Sequence, residues 1–235
     1  MSEFLVLDLG LRDYAEALSF QRAMAVARLA GRLPQDLLLL VEHPPVITLG
    51  RSSKAAHLLA SPAVLAARGV SLHEVERGGD VTFHGPGQLV GYPIVDLTGH
   101  RQDLHWYLRQ VEEVLIRAVG TFGVPAERNP GKTGVWTGGR KLASIGVHAR
   151  QWVTWHGFAL NVTTDLSYFD LMVPCGIADV TMTSIANELA RHAAAETLPR
   201  DTLGTLTRAS VVEAFGLVFD RVPRLVSADA PELLG

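Results

Sequence analysis

The chain has a single cysteine, Cys175, in 235 residues. That scarcity excludes an internal disulfide and any metal site built from several thiolates, and it suits a reducing compartment. Lysine is scarce too, occurring only at Lys54, Lys132 and Lys141, so arginine supplies most of the positive charge. Neither sign of charge dominates: 24 acidic side chains stand against 21 basic ones, a formal net charge of -3. There is no global field of the kind that draws nucleic acid or an anionic membrane, and neither is expected as a partner. No uninterrupted apolar run approaches the roughly 20 residues needed to cross a bilayer. Met1 to Gly10 carries Glu3 and Asp8 and lacks the basic start and apolar run of a secretory signal, so a soluble, cytoplasmic protein is expected.

What is present is a chain 48% hydrophobic, long enough for a sizeable core and within the range of one domain, residues 1–235. Phe4 to Leu9 alternates as a strand does, and Tyr14 to Leu29 repeats apolar residues at helical spacing, with Gly31 as the stop. Leu37 to Val41 is a continuous apolar run, read as a strand buried on both faces; Pro44-Pro45 breaks it before a neighbouring strand, Val46 to Leu49. Ser61-Pro62 and Gly69 punctuate a short helix as cap, first-turn proline and C-terminal glycine. Val70 to Val75 and Gln88 to Leu97 read as strands on either side of a glycine-rich segment, Arg77 to Gly87. Asp103 opens a long amphipathic helix ended by Gly123. Val135 to Thr137 and Leu142 to Val147 form a predicted hairpin about Gly138-Gly139, and Trp152 to Val162 is a further strand. Ser184 to Ala190 and Ala209 to Val218 read as helices, separated by a weakly patterned, Ala-rich stretch. Strands grouped around a few helices imply an α+β (mixed α/β) fold, one mixed β-sheet with packed helices.

Pro174 and Gly176 flank Cys175, which predicts a loop or turn. A lone free cysteine is either a small buried hydrophobe or a nucleophile, and a nucleophile needs a base or cation nearby. Lysine can act as that base where arginine cannot, because arginine stays protonated. Lys141 stands beside the predicted hairpin, where it is either an ordinary solvated lysine or an inward-facing amine in need of a partner. The glycines at 78, 79, 85 and 87 let the main chain approach a ligand closely, although glycine is also a common turn residue. This segment has neither the Gly-Lys-Ser/Thr of a phosphate loop nor a dinucleotide fingerprint. His84 within it can position a nucleophile or serve as a structural hydrogen-bonding group. None of the nine histidines has metal-ligand spacing: His100 and His105 are five apart and there is no His-Glu-x-x-His, so no metal is expected. No Gly-x-Ser-x-Gly elbow occurs.

Taken together, Glu42 to Arg51, Arg77 to Leu97, Gly131 to Val147, Trp152 to Val162 and Pro174-Cys175-Gly176-Ile177 continuing to Thr183-Ser184 resemble the lipoyl(octanoyl) transferase family. The resemblance runs in family order over a core of about 42–184. It implies a fold like the catalytic domain of biotin- and lipoate-protein ligases. It also implies Cys175 as carrier of an acyl-thioester intermediate and Lys141 as its activating acid/base partner. The implied acyl pocket is Arg77, Gly78, Gly79, Asp80, Val81, Thr82, Phe83 and His84, with Ser144, Ile145, Gly146, Gly157, Phe158 and Ala159. Phe83 departs from the tyrosine that many relatives carry, so a hydroxyl role there is not expected. The implied reaction takes an octanoyl group from octanoyl-acyl carrier protein to a lysine of lipoyl domains of 2-oxoacid dehydrogenase complexes or of the glycine cleavage H protein, with no cofactor. Arg128, Lys132, Arg140 and Arg150 are candidates for meeting an acidic carrier, or are ordinary solvated charges. Two alternatives stand beside this reading: an ATP-dependent lipoate or biotin ligase on the same fold, and a non-catalytic acyl-binding module.

Overall fold

The computed structural model describes residues 2–177, 180–191, 198–230 and 233. Its strands are β1 (Glu3–Leu11), β2 (Asp36–Glu42), β3 (Val46–Leu49), β4 (Ser71–Glu74), β5 (Val81–His84), β6 (Gln88–Ile94), β7 (Glu127–Asn129), β8 (Lys132–Thr137), β9 (Arg140–Arg150), β10 (Val153–Asn161) and β11 (Val222–Leu225). The helices are α1 (Tyr14–Leu29), α2 (Pro62–Ala67), α3 (Leu104–Gly120), α4 (Ile185–Arg191) and α5 (Arg200–Phe219). The large sheet is eight-stranded and mixed, in the order β11-β1-β2-β6-β10-β9-β8-β7. Its first two pairings are parallel and the rest antiparallel.

Side-chain alternation explains the unbroken apolar run of β2. Leu38 and Leu40 join Phe4, Val6, Tyr107, Val111, Leu115 and Phe215 on the face covered by α3 and α5. Leu37, Leu39 and Val41 join Leu5, Leu7, Ala17, Met24 and Ala25 on the face covered by α1. Each such side chain contributes roughly 1.5–3 kcal/mol by leaving water, so a strand that is apolar on both faces fixes the centre of the sheet.

Three expectations need correction. β2 and β3 are not neighbours: after Pro44-Pro45 the chain leaves the large sheet, and β3 pairs with β4 and β5 in a second, three-stranded sheet. The glycine-rich segment is not a connection alone, because Val81 to His84 form β5 within it. The last long helix starts at Arg200, not Ala209. Its first turns escape the apolar pattern because a buried threonine stands on the core face, where Thr207 Oγ1 donates to the Leu203 carbonyl at 2.7 Å. Part of the Ala-rich stretch, 192–197, lies outside the described residues.

The C-terminal segment is structural. α5 packs on α3, with the Phe219 ring 6.2 Å from those of Trp106 and Tyr107, and β11 extends the large sheet beside β1. Among the described residues no helix is long and apolar enough to cross a membrane.

Candidate active site

Lys141 is the second residue of β9, just past the β8–β9 turn, whose Gly138-Gly139 corner takes φ of 50° and 78°, as a tight turn between twisted strands requires. Its side chain is 1% exposed, although lysine is ordinarily a surface residue. The segment after Cys175 docks on the same strand: Lys141 N donates to the Thr181 carbonyl at 2.8 Å, and Thr183 N donates to the Lys141 carbonyl at 2.9 Å. Two chain passes far apart in sequence therefore converge. Lys141 Nζ donates to Cys175 Sγ at 3.1 Å, and Ser144 Oγ lies 3.6 Å from the same sulfur. Trp136 flanks the amine, with its ring centroid 5.4 Å from Nζ. No carboxylate forms an ion pair with Lys141 among the described residues, so the sulfur is the polar partner of this buried amine.

Cys175 occupies a short 3₁₀ turn, Pro174–Gly176, at φ 56° and ψ 21°, a left-handed conformation that a non-glycine residue adopts at a cost. The surroundings hold the turn in place. Val173 N donates to the His57 carbonyl at 2.8 Å, and Leu58 bridges Met172. His57 Nδ1 is 2.6 Å from Asp80 Oδ2, and Asp80 Oδ1 accepts from Val81 N at 2.7 Å. Gly176, at φ 65°, packs so closely on the Asp80–His57 pair that a Cβ there would overlap the carboxylate.

The sulfur stands at a cavity of about 280 Å³. Of the expected pocket residues, Arg77, Gly79, Asp80, Thr82, His84, Ser144, Ile145, Gly146, Gly157, Phe158 and Ala159 line it. Gly78, Val81 and Phe83 do not. Strand alternation is the reason: Thr82 and His84 of β5 face the cavity, whereas Val81 and Phe83 face a separate cluster with Ile47, Leu65 and Phe169. Phe83 stacks on Tyr168 at 4.6 Å. Gly78 lends its amide to the Val147 carbonyl at 2.8 Å and its carbonyl to Arg77. Of the cationic candidates, Arg128 pairs with Glu112 and Glu113, and Arg140 forms two hydrogen bonds to Glu188, whereas exposed Lys132 lines the cavity mouth. Arg150 is exposed at the end of β9, away from the cavity lining.

Sequence reasoning missed Tyr14, Tyr92 and His156, which also line the cavity, and His57, which reaches the site through Asp80. The cavity is accordingly less apolar than an acyl slot suggests. Arg77 is 7% exposed, donates to Thr48 Oγ1 and to the Thr48 and Gly78 carbonyls, and has no ion pair among the described residues. Burial pulls its pKa down, opposed by the Tyr14, Cys175 and Tyr92 groups nearby. Burial also pushes Tyr14 up to about 12, and it depresses His84 and His156, so the inner imidazoles are neutral. Among the described residues no cluster of three histidine, cysteine or carboxylate side chains could hold a metal. A thiol and an amine in contact in the wall of this cavity can exchange a proton and attack an activated carbonyl whose substituent fills the cavity.

Known proteins match in three ways. Residues 13–205 match the family of the lipoyl protein ligase A/B catalytic domain. An octanoyltransferase of Geobacter metallireducens is 47% identical over 226 residues, 96% of this chain and 98% of that one. An octanoyltransferase of Gloeobacter violaceus is 54% identical over 177 residues, 75% of this chain and 78% of that one. In three dimensions the chain is similar to the bi-partite lipoate protein ligase of Thermoplasma acidophilum, with a TM-score of 0.74 at 16% identity, covering 99% of this chain and 89% of that one. A lipoate-protein ligase A bound with ATP gives 0.73 at 13% identity, covering 99% and 91%. At such identities the likeness shows a shared fold.

Proposed function

The chain belongs to the lipoyl protein ligase A/B catalytic-domain family, and from that premise we propose that it is an octanoyltransferase working through an acyl-cysteine. The enzyme is an acyltransferase that moves an octanoyl group from an acyl donor to a lipoyl-accepting protein. The observation that carries the mechanism is the 3.1 Å contact of Lys141 Nζ with Cys175 Sγ at the cavity.

In the first half-reaction Lys141 takes the Cys175 proton, and the thiolate attacks the carbonyl of the donor thioester. The new sulfur–carbon bond forms as the donor's thiolate leaves, and Lys141 returns the proton to it. One thioester replaces another at little change in free energy. In the second half-reaction a lysine amine of the acceptor attacks the acyl-cysteine, its proton passes to Lys141 and on to the departing Cys175 sulfur, and a stable amide results. The sequence runs downhill without ATP. The octanoyl tail occupies the 280 Å³ cavity, where burial stabilises it by about 0.8 kcal/mol per methylene.

We take octanoyl-acyl carrier protein as the donor, meeting Lys132 at the cavity mouth. The acceptors are lipoyl domains of 2-oxoacid dehydrogenase complexes and the glycine cleavage H protein. A free thiol as nucleophile suits the cytoplasm, and residues 1–235 act as one catalytic unit. Replacement of Cys175 by serine tests the proposal. The Cys175→Ser protein is expected to lose transfer from octanoyl carrier protein to an acceptor domain. If instead it joined free octanoate to the acceptor with ATP at the wild-type rate, the chain would be a ligase of the kind its fold neighbours represent.

A further inference from the structure

Two buried amide side chains have no place in the chemistry described above. Gln88 opens β6 and Asn161 closes β10, the two are register partners in that antiparallel pair, and each is 1% exposed. Their hydrogen bonds form one continuous line. His84 Nδ1 is 2.9 Å from Gln88 Oε1, Gln88 Nε2 donates to Asn161 Oδ1 at 2.9 Å, and Asn161 Nδ2 donates to the Thr183 carbonyl at 2.9 Å.

The Thr183 end fixes the direction of every link. A main-chain carbonyl only accepts, so Asn161 turns its NH2 group to Thr183 and its oxygen to Gln88. Gln88 then donates to that oxygen and offers its own oxygen to His84, whose single proton is therefore on Nδ1. One proton is what the ring carries, since burial depresses its pKa. His84 Nε2 is left as an acceptor, 3.5 Å from Thr48 Oγ1, which itself accepts from Arg77 Nη2 at 2.8 Å. His84, Gln88, Asn161 and Thr183 are all buried, so reversing one link would set like poles face to face and forfeit a buried hydrogen bond.

Both ends of the line reach the site. His84 lines the cavity. Thr183 N donates to the Lys141 carbonyl and Lys141 N donates to the Thr181 carbonyl, so Asn161 grips the stretch that follows Cys175 at the point where it docks on Lys141.

We propose that Gln88 and Asn161 are positioning residues for acyl transfer, a buried hydrogen-bond line of one polarity that ties the cavity wall at His84 to the segment seating Cys175 against Lys141. The inference rests on the acyl-cysteine reading above. Neither amide touches a reacting atom. They act through Thr183, whose held carbonyl keeps the Cys175 segment in register with the strand carrying Lys141, and with it the 3.1 Å contact of Lys141 Nζ with the sulfur.

The test uses Asn161→Leu and Gln88→Met, which keep the shape and remove the polar atoms, and reads alkylation of Cys175 by iodoacetamide against pH. With the amine contact loosened, Asn161→Leu should alkylate about tenfold more slowly than wild type near pH 7. It should stay within about twofold near pH 10, where the thiol ionises unaided. Gln88→Met, which leaves the Thr183 bond in place, should show a smaller change of the same kind. Single-turnover acylation of Asn161→Leu should fall by about tenfold or more. In a Lys141→Ala background Asn161→Leu should add less than about twofold, because the contact it maintains is already gone. Loss of stability alone would leave the pH profile of the folded protein unmoved. Nitrogen NMR of wild type supplies a measurement that needs no variant: the His84 proton is expected on Nδ1. A proton on Nε2, or an Asn161→Leu profile superimposable on that of wild type, overturns the positioning line while the acyl-cysteine reading stands. Failure of octanoyl carrier protein to acylate the wild-type enzyme overturns that reading, and the role in transfer with it.

Discussion

A single methyl group at Gly176 tests how the nucleophile is held. Gly176 has φ 65°, and an alanine pays about 1–2 kcal/mol to remain in that region. Its Cβ would overlap Asp80 Oδ2 and approach His57 Cε1 and Nδ1 at 3.1 and 3.2 Å. Asp80 has little freedom to yield, because Oδ2 is 2.6 Å from His57 Nδ1 and Oδ1 accepts from Val81 N at 2.7 Å. The turn carrying Cys175 must then move by roughly an ångström, and a misplacement of that size costs on the order of 100-fold in rate. The Gly176→Ala protein should therefore fold, melt a few degrees below wild type, and form the acyl-enzyme about 100-fold more slowly in a single-turnover mass measurement. Acylation within threefold of wild type would refute the view that the Asp80–His57 pair seats the nucleophile.

Three further outcomes follow from the same geometry. His43 is fully buried, its Nδ1 donating to the Arg12 carbonyl at 2.7 Å and its Nε2 accepting from Tyr92 at 2.8 Å; burial pulls its pKa from 6.5 to about 4. The folded state thus disfavours protonated His43, so its stabilisation is complete above pH 6.5 and is lost as the pH falls towards about 4, an effect of about 3 kcal/mol. Urea unfolding across that range should show a steeper loss for wild type than for His43→Asn, and identical profiles would contradict the assignment. Arg140→Ala strips Glu188, whose side chain is 1% exposed, of two hydrogen bonds at 2.9 and 2.7 Å. Because Thr183 and Arg191 still face that carboxylate, the expected loss is about 2 kcal/mol, seen as a melting temperature lower by roughly 5 °C; an unchanged value would mean Arg140 is a solvated charge. Gly157→Ala drives a Cβ into the Gly91 carbonyl and to 2.6 Å from Pro93 Cδ, which should cost about 1–3 kcal/mol in chemical unfolding, and full retention of stability would argue against the β6–β10 register.

The parts of this molecule legible in its sequence are those with a local signature. The apolar run at Leu37–Val41, the Gly138-Gly139 corner and the caps at Ser61 and Asp103 each carry their own chemistry, and the structure has elements there. Cys175 and Lys141 stood out by rarity, and the family likeness paired them. The sheet to which Val46–Leu49 belongs was not legible, because pairing partners are set by packing and Pro44-Pro45 marks only a break. The remaining cavity lining was hidden for a similar reason. Tyr14 opens an ordinary helix, Tyr92 lies in a buried strand and His156 in another, so no spacing connects them. The positive φ of His156 and the alignment of His57 with Asp80 arise only when the elements meet.

Intact mass of the protein after incubation with octanoyl carrier protein, without ATP, bears most directly on whether this sulfur carries the acyl group. One octanoyl group should appear on Cys175 and disappear when a lipoyl-accepting domain is added, with an equal gain on that domain. An unmodified enzyme that nevertheless octanoylates the domain, or an adduct on Cys175 that the domain never discharges, would contradict the account.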